Sequence, residues 1–276
     1  MISFINRFFK TRPPFQKTFI FASKILHRSV RIEVFFPPNF KASKTYPLLL
    51  VNDGQDFSQM KFSNILENLY QKQQIVPLLV VGIHAANRIQ EYGTALVSDY
   101  KNRGEKSANY QAFVLEELIP FLQNKERLKG FTEMAAAGFS LGGLSAFDLV
   151  WNHPTRFGKV GVFSGALWWR SKAFDPENPD ADRVVHTYVE ASNSPPHLQF
   201  WFQTGTEDEK EDRNNNGIID AIDDTLDLIH LLENKGYERG RQVRYLEIEG
   251  GIHHPSTWAE AMPDFLRWGF GKKRYV

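Results

Sequence analysis

The stretch Ala135-Ala136-Ala137-Gly138-Phe139-Ser140-Leu141-Gly142-Gly143 constrains this chain more than any other. Small apolar residues lead into a serine flanked by glycines two positions to either side. That pattern reads as a buried strand, a sharp turn and the start of a helix, with Ser140 at the apex. So tight a turn leaves no room for Cβ atoms beside the serine, so glycine is needed at 138 and 142. Phe131 to Phe139 gives the strand. Leu144, Phe147 and Val150 carry the helix to Asn152-His153-Pro154, where Pro154 stops it. A serine lifted out of a sheet in this way is a candidate nucleophile, and Leu141 N–H, at the helix N-terminus, is a candidate oxyanion donor.

The rest of the chain supplies the sheet this turn requires. Phe19 to Phe36 alternates loosely around His27-Arg28-Ser29 and reads as an antiparallel strand pair. Pro47–Val51, Pro77–Ile83 and Val160–Phe163 are apolar runs suited to buried strands, and Leu198–Gln203 and Val243–Ile248 read as the remaining strands. Helical patterns stand between them: through Ile65, Leu66 and Leu69; over Tyr110–Leu128, bent or restarted at Pro120; over Ala221–Leu232; and over Thr257–Gly269. His84–Lys106 and Arg170–Pro196 read as polar connections. The alternation predicts an α/β fold with a mostly parallel central sheet and helices on both faces. With 276 residues, no repeats and no linker, it predicts one domain over 1–276.

Composition narrows the chemistry. The chain has no cysteine, which excludes disulfides, thiolate nucleophiles and thiolate metal sites. A net charge of +1 gives no electrostatic reason to expect a nucleic-acid partner. No apolar run is long enough to span a bilayer, and no secretory signal is visible, so the expected location is cytoplasmic. Ile2, Phe4, Ile5, Phe8 and Phe9 read as a segment packing on the domain's own surface rather than on a membrane.

In open α/β sheets, ligands bind beyond the carboxyl ends of the strands. After the strand ending at Gln203 come Glu207 and Asp208. After the last strand come Gly250-Gly251-Ile252-His253-His254. The order serine, acid, histidine is that of the α/β-hydrolases. Ser140 is then the nucleophile, His253 (or His254) the base that takes its proton, and Asp208 (or Glu207) the acid that steadies the imidazolium. The second oxyanion donor is expected after the Pro47–Val51 strand, where Gly54 lets the backbone approach, from the N–H of Gln55 or Asp56. Trp168 and Trp169 follow the strand ending at Phe163 and are candidates to stack on an aryl or sugar group. Arg88 reads either as an ion pair with Glu91 or as a holder of an anionic substrate group. His153 and His230 have no partner motif and read as structural.

A second pattern is independent of the first. Asp212-Arg213-Asn214-Asn215-Asn216-Gly217-Ile218-Ile219-Asp220-Ala221-Ile222-Asp223 has the spacing of an EF-hand calcium loop. Asp212, Asn214, Asn216, the Ile218 carbonyl and Asp223 are the candidate ligands, with Asp223 where glutamate is usual. Catalysis needs no cofactor. A structural calcium ion would order the loop that carries the acid.

Several short motifs together resemble the putative-esterase family of α/β-hydrolases, which includes enterobactin (enterochelin) esterases, feruloyl esterases and S-formylglutathione hydrolases. They are Asn52-Asp53-Gly54-Gln55, Arg88 with Glu91-Tyr92-Gly93, Tyr110 with Glu117-Leu118-Ile119-Pro120, the elbow, Phe163-Ser164-Gly165-Ala166, and Glu249-Gly250-Gly251 with His253 and Trp258. The resemblance runs from about Ile25 to Trp268. It implies a carboxylic ester hydrolase acting through an acyl-enzyme, with His253 rather than His254 as the base. The substrate it implies is a small-molecule or sugar ester: a siderophore, feruloyl or acetyl-sugar ester. A thioesterase or acyltransferase would use the same residues, and a binding protein on an inactive hydrolase fold would keep the shape without the chemistry.

Overall fold

The computed structural model describes residues 12–193 and 197–272, so the reading of Ile2 to Phe9 lies outside the described residues. β1 (Phe15–Ser23) and β2 (Arg28–Phe36) form an antiparallel hairpin whose turn closes with His27 at φ 51°. β3 (Tyr46–Asn52), α1 (Phe62–Gln71) and β4 (Leu79–Ile83) follow. A short α2 (Arg88–Glu91) lies inside the connection expected to be irregular.

The next helical run holds a surprise at its proline. α3 (Ser107–Ala112), a π-helical segment (Phe113–Leu118) and α4 (Ile119–Lys125) are continuous. Pro120 does not restart the helix. It lacks an N–H donor, and the distortion is absorbed just before it, where Ile119 N–H reaches five residues back to the Val114 carbonyl. β5 (Phe131–Phe139), α5 (Leu141–Asn152) and β6 (Lys159–Phe163) then form the strand–turn–helix–strand unit that carries Ser140. α6 (Val184–Ala191) lies inside the Arg170–Pro196 segment and buries Val184, Val185 and Val189. β7 (Gln199–Glu207), α7 (Asp220–Asn234), β8 (Val243–Ile252) and α8 (Pro255–Phe270) complete the described chain.

The eight strands form one sheet in the order β1-β2-β4-β3-β5-β6-β7-β8. Every pairing from β4 to β8 is parallel, and only β1 and β2 run against their neighbours. Period-two alternation divides the apolar residues between two cores. Leu48 and Leu50 pack with Phe147, Phe200 and Leu228 on one face. Leu49 and Val51 pack with Trp201, Met262 and Phe265 on the other. Helices therefore cover both faces, as the unbroken apolar strands require.

β7 and β8 run further than their apolar cores suggested. They remain paired out to Glu207 opposite Ile252, across a register shift after Gly205. Gly205 and Gly251 make this possible, because a Cβ on Gly205 would collide with the Gly251 carbonyl. The consequence is functional. The residues that follow this last pair are Asp208 and His253.

Candidate active site

The elbow is a strained turn held from three sides. Ser140 has φ 53° and ψ −122°, a backbone region that non-glycine residues rarely occupy. Its N–H donates to the Phe163 carbonyl at 2.8 Å, and its own carbonyl accepts from Gly143 N–H (2.9 Å) and Ala166 N–H (3.1 Å). A Cβ on Gly138 would strike the Gly142 carbonyl. The serine stays half-exposed while Gly138 and Phe139 before it and Leu141 and Gly142 after it are buried.

Polar groups after β3 brace the turn from below. Asn52 Nδ2 donates to the Gly142 carbonyl (2.8 Å), and Tyr110 OH donates to Asn52 Oδ1 (2.6 Å). Asp53, in the left-handed region at φ 63°, places a buried carboxylate beside Gly142. Arg88 grips that carboxylate with two bonds, Nε to Oδ1 at 2.9 Å and Nη2 to Oδ2 at 3.0 Å. The same Nη2 donates to the Phe139 carbonyl at 3.0 Å. Glu91 is bound instead by Arg28. The Arg88–Glu91 pair, one of the two readings of Arg88, does not form, because Arg28 already neutralises the buried Glu91 and the buried Asp53 is left to Arg88.

Asp208 and His253 meet at the ends of β7 and β8. Asp208 Oδ2 accepts from Gly205 N–H at 3.0 Å, and Oδ1 lies 3.9 Å from His253 Nδ1. Burial pushes the Asp208 carboxyl above its ordinary range and pulls the His253 imidazole below its own. The charge of each partner opposes the shift, and Arg88 adds to the lowering at His253. The His253 and Trp258 rings meet almost at right angles, with centroids 5.5 Å apart. Its neighbour His254 is occupied elsewhere: Nδ1 accepts from Ser256 N–H at 3.2 Å, capping α8, and Nε2 lies 2.8 Å from Gln59 Nε2. Glu207 is exposed.

Leu141 opens α5, so its N–H has no acceptor within the helix. Across from it, Gly54–Phe57 forms a 3-10 turn in which Asp56 N–H is taken by the Asp53 carbonyl at 3.0 Å. Of the two expected donors, Asp56 is therefore already engaged and Gln55 is the one that remains. Gln55's side chain bridges Asp53 Oδ1 and Ala85 N–H. The Asp56 carboxyl, half-buried and close to the Asp53 charge, is raised to about 6.

The tryptophan pair divides. Trp168 is 37% exposed, with the Arg103 guanidinium over its ring at 5.1 Å. Trp169 is fully buried and packs between Gly93 and Gly104, so it offers no face to a ligand. Trp169 N–H closes a turn on the Ala166 carbonyl at 3.3 Å, and of the two adjacent rings only Trp168 is left facing solvent.

In the loop 212–223, Asn214 and Asn216 direct their amides at Asp223 Oδ2, at 3.1 and 2.8 Å. Asp212 accepts from Asn216 N–H and Gly217 N–H, and Gly217 takes φ 86°. Among the described residues no group of three or more His, Cys, Asp or Glu side chains is placed to hold a metal. Of the loop's three aspartates, Asp220 is bound by Arg213, which leaves Asp212 and Asp223 with the amides between them. The convergence of residues 214, 216 and 223 fits a calcium ion provided both amides turn their oxygens inward.

Sequence reasoning missed Ser164 and the bracing role of Asp53. Both lie in stretches that looked like ordinary post-strand turns, and both have positive φ, at 44° and 63°.

The sequence matches the family model described as Putative esterase over residues 23–268. The uncharacterized protein YbbA of Bacillus subtilis (strain 168) is 24% identical over 250 residues, 88% of this chain and 94% of that protein. An enterobactin esterase structure from Shigella flexneri, with enterobactin present, superposes with TM-score 0.70 at 22% identity, covering 94% of this chain and 60% of that one. A ferulic acid esterase superposes with TM-score 0.69 at 17% identity, covering 93% of this chain and 98% of that one.

Proposed function

This chain belongs to the putative esterase family and is on that ground a carboxylic ester hydrolase, and we propose that it works through Ser140, His253 and Asp208. The supporting observation is the β7–β8 pairing, which brings the acid-bearing and histidine-bearing ends together on the same sheet edge as the elbow. His253 takes the Ser140 proton as Oγ attacks the ester carbonyl, and Asp208 holds the imidazole through Nδ1. The N–H groups of Leu141 and Gln55 receive the oxyanion. Collapse of the tetrahedral adduct breaks the ester C–O bond, and the alcohol leaves with the proton from His253. Water, deprotonated by His253, then attacks the acyl-enzyme, and Ser140 departs with that proton.

The substrate class we assign is a small ester bearing an aromatic ring. Trp168 supports this, since it presents an exposed face two residues beyond Ala166, whose N–H touches the Ser140 carbonyl. Arg88 is bound to Asp53 and Phe139 through Nε and Nη2, and the role we assign it is to brace the elbow. The loop 212–223 takes a structural calcium ion through Asp212, Asn214, Asn216, the Ile218 carbonyl and Asp223, and the ion takes no part in the chemistry. No helix among the described residues is long and apolar enough to cross a membrane.

Hydrolysis of p-nitrophenyl acetate by the wild type, Ser140→Ala, His253→Ala and Asp208→Asn tests the mechanism. The first two variants should lose about 10³-fold or more in kcat. Retained activity in Ser140→Ala, or fluorophosphonate labelling of a residue other than Ser140, would refute it.

A further inference from the structure

The acid Asp208 is short of hydrogen-bond donors. Its Oδ2 has Gly205 N–H, but its Oδ1 is buried with no hydrogen-bond donor in place and stands 3.9 Å from His253 Nδ1. A carboxylate so placed needs a further donor to remain charged. The Ser164 hydroxyl lies beside it.

Ser164 is not there by accident of a turn. It is 2% exposed and holds φ 44°, a conformation costly for any residue other than glycine. Its N–H donates to the Gln203 carbonyl at 2.7 Å, which fixes it to β7, the strand that leads to Asp208. Its hydroxyl oxygen meets Trp258 Nε1 at 3.0 Å, with both side chains buried. An indole N–H can only donate, so Ser164 Oγ must accept that bond. A hydroxyl carries one proton, and Ser164's is thereby left to turn toward Asp208. Trp258 also stacks on Phe139, the residue before the nucleophile, at 4.9 Å, and packs perpendicular to the His253 ring at 5.5 Å. One indole thus touches the nucleophile's strand, the base and the serine beside the acid.

We infer that Ser164 is a positioning residue for the esterase, donating its hydroxyl proton to Asp208 while Trp258 Nε1–H fixes the direction of that bond. The inference rests on Asp208 being the acid. Arg88 and Tyr245 are the other charged or titratable groups that act on the Asp208–His253 pair.

The test compares wild type, Ser164→Ala, Trp258→Phe and Asp208→Asn with p-nitrophenyl acetate, each normalised to active sites titrated with fluorophosphonate. Loss of a hydrogen bond to a charged group should lower kcat in Ser164→Ala roughly tenfold with KM unchanged. It should also move the acid limb of kcat/KM upward by about one pH unit, because the pair then binds its first proton more readily. Trp258→Phe keeps a six-membered ring against Phe139 but removes the donor together with the five-membered ring, so it should shift the limb in the same direction by less. A purely structural role would lower the titrated fraction and leave the limb in place. That result in both variants, with Asp208→Asn crippled, overturns the role of Ser164 alone. If Asp208→Asn is fully active, the acid assignment fails and the inference falls with it.

Discussion

The Asp53 carboxylate occupies the space a β-carbon on Gly142 would need. Arg88 holds that carboxylate with two bonds and cannot let it swing away. Gly142→Ala must therefore displace the elbow or break the clamp. Overpacking of this kind costs about 1–3 kcal/mol, and a displaced Ser140 loses activity as well. Urea unfolding and turnover would both report it. Gly158→Ala is the control: nothing lies within 4 Å of a Cβ there. It should change stability by less than about 0.5 kcal/mol.

Arg88→Met should act on stability rather than on KM. It leaves Asp53 buried, 1% exposed, without its counter-charge. Removing one partner of a buried pair costs roughly 3–5 kcal/mol, and the 36% exposure of the Arg88 side chain places this case at or below the lower end. Adding Asp53→Asn should recover part of the loss in denaturant melts. A rise in KM without loss of stability would instead make Arg88 a substrate ligand.

The pH–rate profile follows from His253. The base must be neutral to accept the Ser140 proton, and burial lowers its affinity for protons. The acid limb of kcat/KM should therefore lie below the ordinary imidazole value of about 6.5. A limb above that value would mean that the Asp208 charge outweighs desolvation.

His186 sets a separate, stability-linked pH dependence. It is buried, Nε2 donates to the Asp224 carbonyl at 2.8 Å, and Nδ1 has no partner. Burial first, then the charge of Arg183, lowers it to about 3. The unfolded chain thus binds this proton first as pH falls below about 6.5, and folding loses about 1.4 kcal/mol per pH unit, or roughly 2 kcal/mol by pH 5. Stability should be constant with respect to this group above pH 6.5. His186→Phe should flatten the fall in Tm between pH 6.5 and 5. An unchanged slope would place the titration elsewhere.

Calcium should stabilise the fold without being required for the chemistry. At 100 times Kd, a single native-state site adds about 2.7 kcal/mol, and for a chain of this size each kcal/mol raises Tm by roughly 2–4 °C. EDTA should reverse the rise, and Asp212→Asn should abolish it. Equal Tm in calcium and EDTA would remove the ion from the account.

The sheet and the elbow were legible in the residues alone. Buried strands such as Leu48–Val51 are apolar on every residue and could sit nowhere else, and the glycines around Ser140 have a local steric reason readable from spacing alone. The preference for His253 over His254 came from the family resemblance rather than from local pattern. What the sequence could not supply were contacts between residues far apart in the chain. The Arg88 side chain passes over Glu91, three residues away, for Asp53, thirty-five residues back, because both carboxylates are buried and Glu91 already has its counter-charge in Arg28. Trp168 and Trp169 are identical in type and adjacent, and only the packing of Gly93 and Gly104 decides which is core. The meeting of Asp208 with His253 depends on β7 and β8 staying paired past Gly205, where two backbones approach too closely for any side chain. Local patterns record what a residue needs from its neighbours in sequence. Burial, charge neutralisation and donor supply are settled only when distant segments pack, and at this site they selected Asp53, Ser164 and Trp258.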